Sequence, residues 1–331
     1  RRSSDLKISG TLDDLSFSNV NFAHNSGLLG LNFNGNARLQ KELTFAGNLT
    51  IAAPDLRKLA AAAGAQLPPG NIYKFFQLSG QTSGSAKDVM LKNASLQFDD
   101  IKGTGEAALS FGGGKPRLTG ALTTGDLNIT PYAAASGAPT EEPPPSAKGW
   151  GATPIDLTPL RLADADLVLK TGGVTYDKFD FGPSNIVVKL LNGKLTADLK
   201  QTTLFGGGGS ASFVADGSGS NPAIALKANL DNLKLKPLLT AASGFDMLDG
   251  KGGLTIDVAG SGANLQTMMS SLVGKGDFNF DEGILKGVNL QELGKAAQTA
   301  LSSKSISLGA FSSNAQTNFN ALNAGFAMKD G

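Results

Sequence analysis

Hydrophobic and polar residues alternate along most of the chain. Apolar side chains fall on every second position in four clear runs, which are Leu43, Phe45, Leu49 and Ile51; Leu195, Ala197 and Leu199; Ile224, Leu226, Ala228 and Leu230; and Leu254, Ile256 and Val258. A period of two places these side chains on one face of a β-strand. Antiparallel sheets with one solvated face have this pattern, whereas buried parallel strands give continuous apolar runs. The pattern predicts a mainly antiparallel sheet with one apolar face.

Short turn sequences and a few helical stretches interrupt the strand-like runs. The pairs Asn192-Gly193, Asp216-Gly217, Asp249-Gly250 and Glu282-Gly283 each favour a turn between strands. Helices are predicted at 54–63, 264–273 and 289–302. In the second of these, apolar residues recur at helical spacing, at Leu265, Met268, Met269 and Leu272. We expect such short helices to cover edges of the sheet.

Two segments of the chain end alike. Pro116 and Pro131 are separated by the same 15 residues as Pro222 and Pro237, and strand-like sequence precedes the second proline of each pair. A weaker copy ends at Pro54. The repeat predicts a unit of strand, proline stop and short helix. Units that cannot bury an apolar face alone favour an extended, stacked architecture.

One segment differs in composition from the rest. Residues 133–149 are rich in Pro, Ala and Ser, which predicts an exposed, mobile insertion. It divides the chain into a β-rich segment, 1–132, and a second β-rich segment, 150–331, without deciding whether they form one continuous sheet. Strand-like runs at Leu6–Gly10 and Phe319–Met328 predict that both ends are cut from a longer protein, so that any export signal or anchor lies outside this sequence.

Composition narrows the classes of function. The 29 basic and 28 acidic residues nearly cancel, so there is no basic footprint for a nucleic acid partner. The absence of Cys removes disulfides, thiolate catalysis and Cys-based zinc sites. Charged residues make up 17% of the chain, against about 25% in an average protein. Together with 43 Gly, this is unusual for a globular enzyme.

No motif predicts catalysis or a cofactor. The run Gly103-Thr-Gly105 superficially matches a dinucleotide fingerprint, but a strand continues after it where a helix is required. His24 is the only histidine, so it has no partner for a metal site or a triad. The pairs Asp13-Asp14, Asp99-Asp100 and Glu141-Glu142 are interpreted as solvated turn carboxylates. Structural calcium is a minor alternative, although no EF-hand spacing is present. We therefore expect no enzyme, no metal and no cofactor.

A longer string resembles a known family. Residues 265–290 read as a short helix, a Gly-Lys-Gly turn, an alternating strand, the Glu282-Gly283 step and a Gly287-Val-Asn-Leu290 ending. This order resembles the C-terminal signature region of the AsmA family, and the clearest similarity covers 206–293. The resemblance implies a bacterial envelope protein in the periplasm, anchored in the inner membrane by an N-terminal helix absent from this sequence. It also implies an architecture similar to bridge-like lipid-transfer proteins.

These observations lead to one expected fold and site. We expect a long, strongly curved antiparallel sheet with short edge helices, forming an open apolar groove or incomplete barrel. The resemblance implies that the groove holds phospholipid acyl chains for transport from inner to outer membrane and outer-membrane biogenesis. The residues expected to line the groove are Leu195, Leu199, Phe213, Ile224, Leu226, Leu230, Leu254, Ile256 and Val258. Asp198, Lys227 and Asp257 are assigned to the solvent side. The oligomeric state stays open.

Two other classes of protein compete with this interpretation. An autotransporter-like β-solenoid adhesin predicts a repeat of about 20–30 residues and few helices, whereas the prolines here are 77 (131 − 54) and 106 (237 − 131) residues apart. A carbohydrate-active enzyme on a β-scaffold needs facing carboxylates and aromatic platforms. Only 7% of this chain is aromatic.

Overall fold

The computed structural model describes residues 6–67, 70–132, 151–152, 154–292, 295 and 311–331. They form one 19-stranded sheet with short helices. The first nine strands are β1 (Lys7–Thr11), β2 (Asp14–Asn25), β3 (Gly30–Leu39), β4 (Leu43–Ala53), β5 (Phe76–Ser85), β6 (Asp88–Phe98), β7 (Ile101–Ser110), β8 (Arg117–Thr124) and β9 (Leu127–Asn128). The others are β10 (Asp164–Thr171), β11 (Val174–Tyr176), β12 (Phe179–Phe181), β13 (Ser184–Leu191), β14 (Lys194–Leu204), β15 (Gly207–Asp216), β16 (Ala223–Lys234), β17 (Leu248–Ser261), β18 (Val273–Val288) and β19 (Phe311–Met328).

Strand pairing follows the order of the chain almost throughout. Antiparallel pairs connect β1 to β8 in succession and β13 to β19 in succession. The two series are joined by β10, which pairs parallel to β8 and antiparallel to β13. The two parts of the chain therefore share one continuous sheet. Among the described strands, β1 pairs only with β2 and β19 only with β18, so the sheet is open at both edges.

The strand ends define two long rims. Rim A carries the strand ends at Ala53, Thr124, Leu204 and Lys234, and rim B carries those at Ser110, Asp216 and Ser261. Helices α1 (Leu56–Ala62) and α2 (Leu235–Ser243) lie at rim A. Helix α3 (Leu265–Ser270) and a 3₁₀ turn (Thr158–Arg161) lie at rim B.

Local sequence explains where these helices begin and end. The Asp55 side chain accepts a hydrogen bond from the Lys58 N–H (3.0 Å) at the start of α1, and Asn264 accepts one from Thr267 N–H (2.8 Å) at the start of α3. Such caps satisfy backbone donors that lack a partner within the helix. Helix α2 ends at Gly244, whose φ of 74° suits glycine.

Helices α1 and α3 confirm the first two helical predictions. Most of the third, 289–302, lies outside the described residues, as does the insertion at 133–149. The proline stop predicted at Pro237 is wrong, because Pro237 is the third residue of α2. Proline is tolerated in the first helical turn, where its missing N–H has no helical acceptor. None of the described helices is long and apolar enough to cross a membrane.

Two predicted turns are strand irregularities instead. Asn192 and Gly193 connect β13 to β14 with φ angles of 52° and 87°, as a tight hairpin requires. By contrast, Asp249-Gly250 lies within β17 and Glu282-Gly283 within β18. Gly250 pairs with Gly283 and Lys251 with Asp281, so Glu282 (φ 40°) is the extra residue of a β-bulge. A bulge and a turn share residue preferences, since both use positive φ.

Candidate functional site

The apolar side chains of the sheet form rows that cross the strands. Residues paired across neighbouring strands project from the same face of the sheet. The strand register therefore aligns the alternating apolar residues of each strand into continuous rows. One long row close to rim B runs from β1 to β17 through Ile8, Phe17, Ala37, Phe45, Gly84, Val89, Leu109, Leu118, Ala165, Leu190, Leu195, Ala215, Ile224 and Gly260. It has no polar side chain.

A second row lies beside the first and reaches the last strand. It consists of Val20, Gly35, Gly47, Thr82, Leu91, Ala107, Gly120, Leu167, Val188, Ala197, Phe213, Leu226, Val258, Gly274 and Met328. Its only polar side chain, Thr82, is buried and donates to the Met90 carbonyl (3.2 Å). At about 4.8 Å between strands, the row is about 65 Å long measured along the sheet.

Two further rows extend the apolar face towards rim A. One contains Leu122, Leu169, Ile186, Leu199, Ala211, Ala228, Ile256, Gly276 and Phe326. The other contains Gly209, Leu230, Leu254, Phe278 and Ala324. We call the surface made by the four rows the apolar groove.

Glycines on this face allow the sheet to bend towards it. A Cβ atom at Gly47 would lie 2.6 Å from the Gly35 Cα atom on the neighbouring strand, closer than a side chain tolerates. Cβ atoms would likewise approach backbone on a neighbouring strand within 3 Å at Gly80, Gly84, Gly105, Gly120, Gly209, Gly252, Gly274 and Gly283. Glycine within a strand marks such close backbone approach and bending. This explains why glycine takes the place of a larger apolar residue at these positions of the rows.

All nine residues predicted to line the groove project from the apolar face. Leu195, Phe213 and Leu226 lie in the first two rows, while Leu199 and Ile256 share the third. Ile224, Leu230, Leu254 and Val258 lie on the same face. None of the nine is fully buried, and Phe213 and Leu226 are 40% and 38% exposed. The arrangement is an open surface instead of a closed core. Their contact with lipid stays a prediction.

The opposite face carries complementary charges. Asp198, Ser212, Lys227, Asp257 and Lys275 form one row across β14 to β18. Lys227 Nζ lies 3.0 Å from Asp257, and the Ser212 hydroxyl donates to Asp198 at 2.7 Å. Opposite charges in directly paired positions stabilise neighbouring strands modestly. The three residues assigned to the solvent side are therefore on the face opposite the groove.

Sequence reasoning missed the part of the groove in the first half of the chain. Phe17, Phe45, Leu109 and Leu118 belong to the row that also contains Leu195. The alternation at Leu43–Ile51 was a usable signal, but only strand register shows that it continues the same face. In this half, the Phe33 and Phe45 rings pack edge to face with centroids 6.0 Å apart.

Asp99 corrects one interpretation. It was expected to be a solvated turn carboxylate, yet it accepts hydrogen bonds from the N–H groups of Tyr73 (2.7 Å), Lys74 (2.7 Å) and Phe75 (2.9 Å) and from the Tyr132 hydroxyl (2.9 Å). Partial burial raises the pKa of Asp99, but these hydrogen bonds outweigh it and leave the pKa below its usual value. Burial and the nearby Asp99 raise the pKa of Tyr132. This cluster fastens the loop before β5 and the segment after β9 to rim A.

The described part of the chain contains no group of three His, Asp or Glu side chains that could hold a metal ion. His24 lies in β2, paired with Leu31 on β3. The Gly103–Gly105 run lies within β7, where both glycines project from the apolar face. The apolar rows therefore remain the candidate functional site.

An open antiparallel sheet with a continuous apolar face defines a class of groove-forming β-proteins. A comparison with protein families matches residues 8–331 to the AsmA family. The chain belongs to the AsmA family, which indicates a role associated with the bacterial envelope. No curated protein and no solved structure matches the chain.

Proposed function

We propose that this chain is a periplasmic lipid-binding and lipid-transfer segment. Acyl chains of phospholipids lie along the apolar groove while the headgroups stay in water at its mouth. Movement along the groove serves lipid transport from inner to outer membrane, and so outer-membrane biogenesis. From the family, we also propose that an anchor holds the segment to the inner membrane.

The continuity of the apolar rows is the observation that supports this proposal. A face of half-exposed apolar side chains about 65 Å long is far larger than the apolar patches of ordinary soluble proteins. Helices α2 and α3 contact the sheet at its rims, on β16 and β17, and leave most of the rows accessible. Such a surface needs an apolar occupant.

The physical chemistry requires no catalytic residue. Each methylene group that leaves water contributes about 0.8 kcal/mol, so several bound methylenes compensate for extracting part of a chain from a bilayer. The apolar rows cross successive strands. An acyl chain can therefore move along them from strand to strand without a polar barrier. We propose on this basis that the protein is not an enzyme.

The adhesin alternative is not favoured by the strand pairing. A parallel β-helix stacks parallel strands, whereas the pairs among the described strands are antiparallel apart from β8 with β10 and β9 with β11.

Lipid extraction tests the proposal. Organic extracts of the protein purified from a bacterial host are expected to contain phospholipid by mass spectrometry. After delipidation, the protein is expected to bind a fluorescent fatty-acyl probe. Monodisperse protein that contains no lipid and binds no probe would contradict the proposal.

A further inference from the structure

An open pocket of about 200 Å³ lies between helix α2 and the apolar face at rim A. Its walls are Leu233, Leu235, Leu238, Leu239, Gly253, Leu254, Phe278, Phe280 and Ala324. We call it the α2 pocket. Every side chain in its walls is apolar, so it offers neither a hydrogen bond nor a charge to a ligand.

The sequence of α2 builds this pocket. Leu235, Leu238 and Leu239 recur at helical spacing and face the sheet. Leu235 is only 2% exposed and fixes the first turn of the helix against β17. At that point the sheet has Gly252, where a Cβ atom would lie 3.2 Å from Leu235 Cδ2. The helix therefore approaches closely at one end and leaves a space beside Leu238 and Leu239.

The pocket is continuous with the groove. Leu254, Phe278 and Ala324 belong to the fourth row of the groove, and the adjacent third row contains Ile256, Gly276 and Phe326. The Phe278 ring lies 6.0 Å from that of Phe326 in the adjacent row and 6.2 Å from that of Phe280 in the pocket wall. A flexible apolar ligand in the groove can therefore extend into the pocket without crossing a polar group.

We infer that the α2 pocket binds the methyl end of a hydrocarbon chain whose remaining length lies in the groove. This rests on the proposed function and adds a fixed site to it. Apolar cavities of about 150 Å³ stay dry and bind small hydrocarbons, and this one is larger. A headgroup is excluded, because a polar group there would lose its hydrogen bonds to water without replacement.

Binding of the chain terminus orients the lipid at this end of the sheet. The methyl end lies under α2, and the polar end must point away from it towards the open mouth of the groove. The pocket then also selects for chain length, because only a chain long enough to fill it gains the burial of its last methylenes.

Photocrosslinking tests this arrangement in the full chain. Two forms of palmitic acid are used, one with a diazirine beside the terminal methyl and one with a diazirine beside the carboxylate, and the labelled peptides are identified by mass spectrometry. The methyl-end probe is expected to label Leu238, Leu239 and Ala324. The carboxylate-end probe is expected to label other parts of the apolar groove.

A pair of variants on β19 provides the control. Ala324→Phe places a ring in the pocket, whereas Ala327→Phe places the same ring on the opposite face, beside Lys275. Each methylene excluded from the pocket weakens binding about fourfold, so loss of two or three predicts binding of palmitate at least about tenfold weaker in Ala324→Phe. Ala327→Phe is expected to bind like the unmodified chain.

The possible results separate the pocket from the groove. Methyl-end labelling spread evenly along the rows, or unchanged by Ala324→Phe, would overturn the pocket and leave the groove intact. Absence of labelling by both probes would overturn the proposed function as well. Leu239→Ala, which enlarges the pocket, serves where Ala324→Phe fails to fold, and it is expected to shift the preference towards longer chains. An unchanged chain-length preference in that variant would overturn the pocket.

Discussion

Leu226 distinguishes an open groove from a closed core. Because it is 38% exposed, a carboxylate introduced by Leu226→Glu can stay hydrated in the lipid-free protein, which is expected to melt near the temperature of the unmodified chain. Against acyl chains the same carboxylate costs several kcal/mol of desolvation. Lipid crosslinking should therefore fall sharply. Circular dichroism melting and crosslinking to a photoactivatable lipid measure the two effects.

Asn229→Glu is the matched control for this substitution. Asn229 lies on the same strand but projects from the opposite, exposed face, where it accepts a hydrogen bond from Thr255. Neither melting nor crosslinking is expected to change. A Leu226→Glu protein that folds and still crosslinks normally would show that the face is misassigned. If Leu226→Glu unfolds the protein, the face is a closed core, since a trapped unpaired charge is strongly destabilising.

Asp99 gives a pH-dependent prediction. Its pKa is lowered in the folded protein, so its contribution to stability is complete above the unfolded pKa of about 3.9 and is lost as pH falls through the lower folded value. Asp99→Asn keeps an acceptor oxygen and tolerates the positive φ of 51°. The variant should lose about 2 kcal/mol at neutral pH and show a smaller further loss in acid. Urea unfolding at a series of pH values measures both, and an unchanged acid dependence would argue against the cluster.

Single residues also show how far sequence reasoning reaches. The face of Leu195, Leu226 and Ile256 could be predicted, because alternation alone assigns residues to faces. The role of Asp99 could not, since its backbone donors lie some 25 positions earlier in the chain, in a loop whose path is set by tertiary contacts. The Glu282 bulge was missed for a different reason. Its sequence satisfies a turn and a bulge equally, and only the pairing of Gly250 with Gly283 decides between them.

The connection between β8 and β10 sets a length requirement. Both strands run from rim B to rim A, so the chain must return between them. Tyr132 is fastened at rim A through Asp99, and Gly151 at rim B accepts a hydrogen bond from the Gln266 N–H (3.1 Å). The eight residues of β8 are about 26 Å long. A linker of about four residues cannot cover that distance.

Two linker variants test this requirement. Replacement of 133–149 by a Gly/Ser sequence of equal length is expected to leave thermal stability nearly unchanged. The distance between the rims can be covered by any flexible linker of sufficient length, whatever its composition. Shortening the same stretch to about four residues is expected to prevent β8 from pairing with β10 or to release Tyr132 and Gly151. Hydrogen exchange of the β8 and β10 amides reports the difference. Equal protection in both variants would contradict the parallel crossover.

Helix α2 shows what the repeated sequence unit could and could not predict. The Pro237 repeat indicated a short helix after a strand, and α2 is that helix. The pocket beneath it depends on Phe278, Phe280 and Ala324, which lie at least 35 residues (278 − 243) after the end of the helix. Long-range register determines such a cavity, and no local period encodes it.

At the level of the whole molecule, continuity of the groove depends on β10. Leu167 and Val188, on β10 and β13, connect the apolar rows of the two halves. Each half has its own apolar rows, so each can hold acyl chains separately. Passage between them requires the junction to stay apolar. Substitutions at this junction can therefore block the passage of lipid between the halves without blocking the binding of lipid in either half.

A double substitution at this junction tests whether the groove acts as one path. Leu167→Glu with Val188→Glu places two carboxylates in the second row, where an acyl chain that crosses would desolvate both at a cost of several kcal/mol. Thr196→Glu, on the opposite face and paired with Lys189, adds a charge that lipid does not meet. Lipid that is photocrosslinked near Phe45 and near Phe213 should persist in both proteins. Exchange of a labelled lipid from one half to the other should be lost only in the double variant, because that step alone crosses β10. Unchanged exchange would mean that the halves take up lipid independently from solution, and the apolar rows would then be two binding surfaces within one sheet.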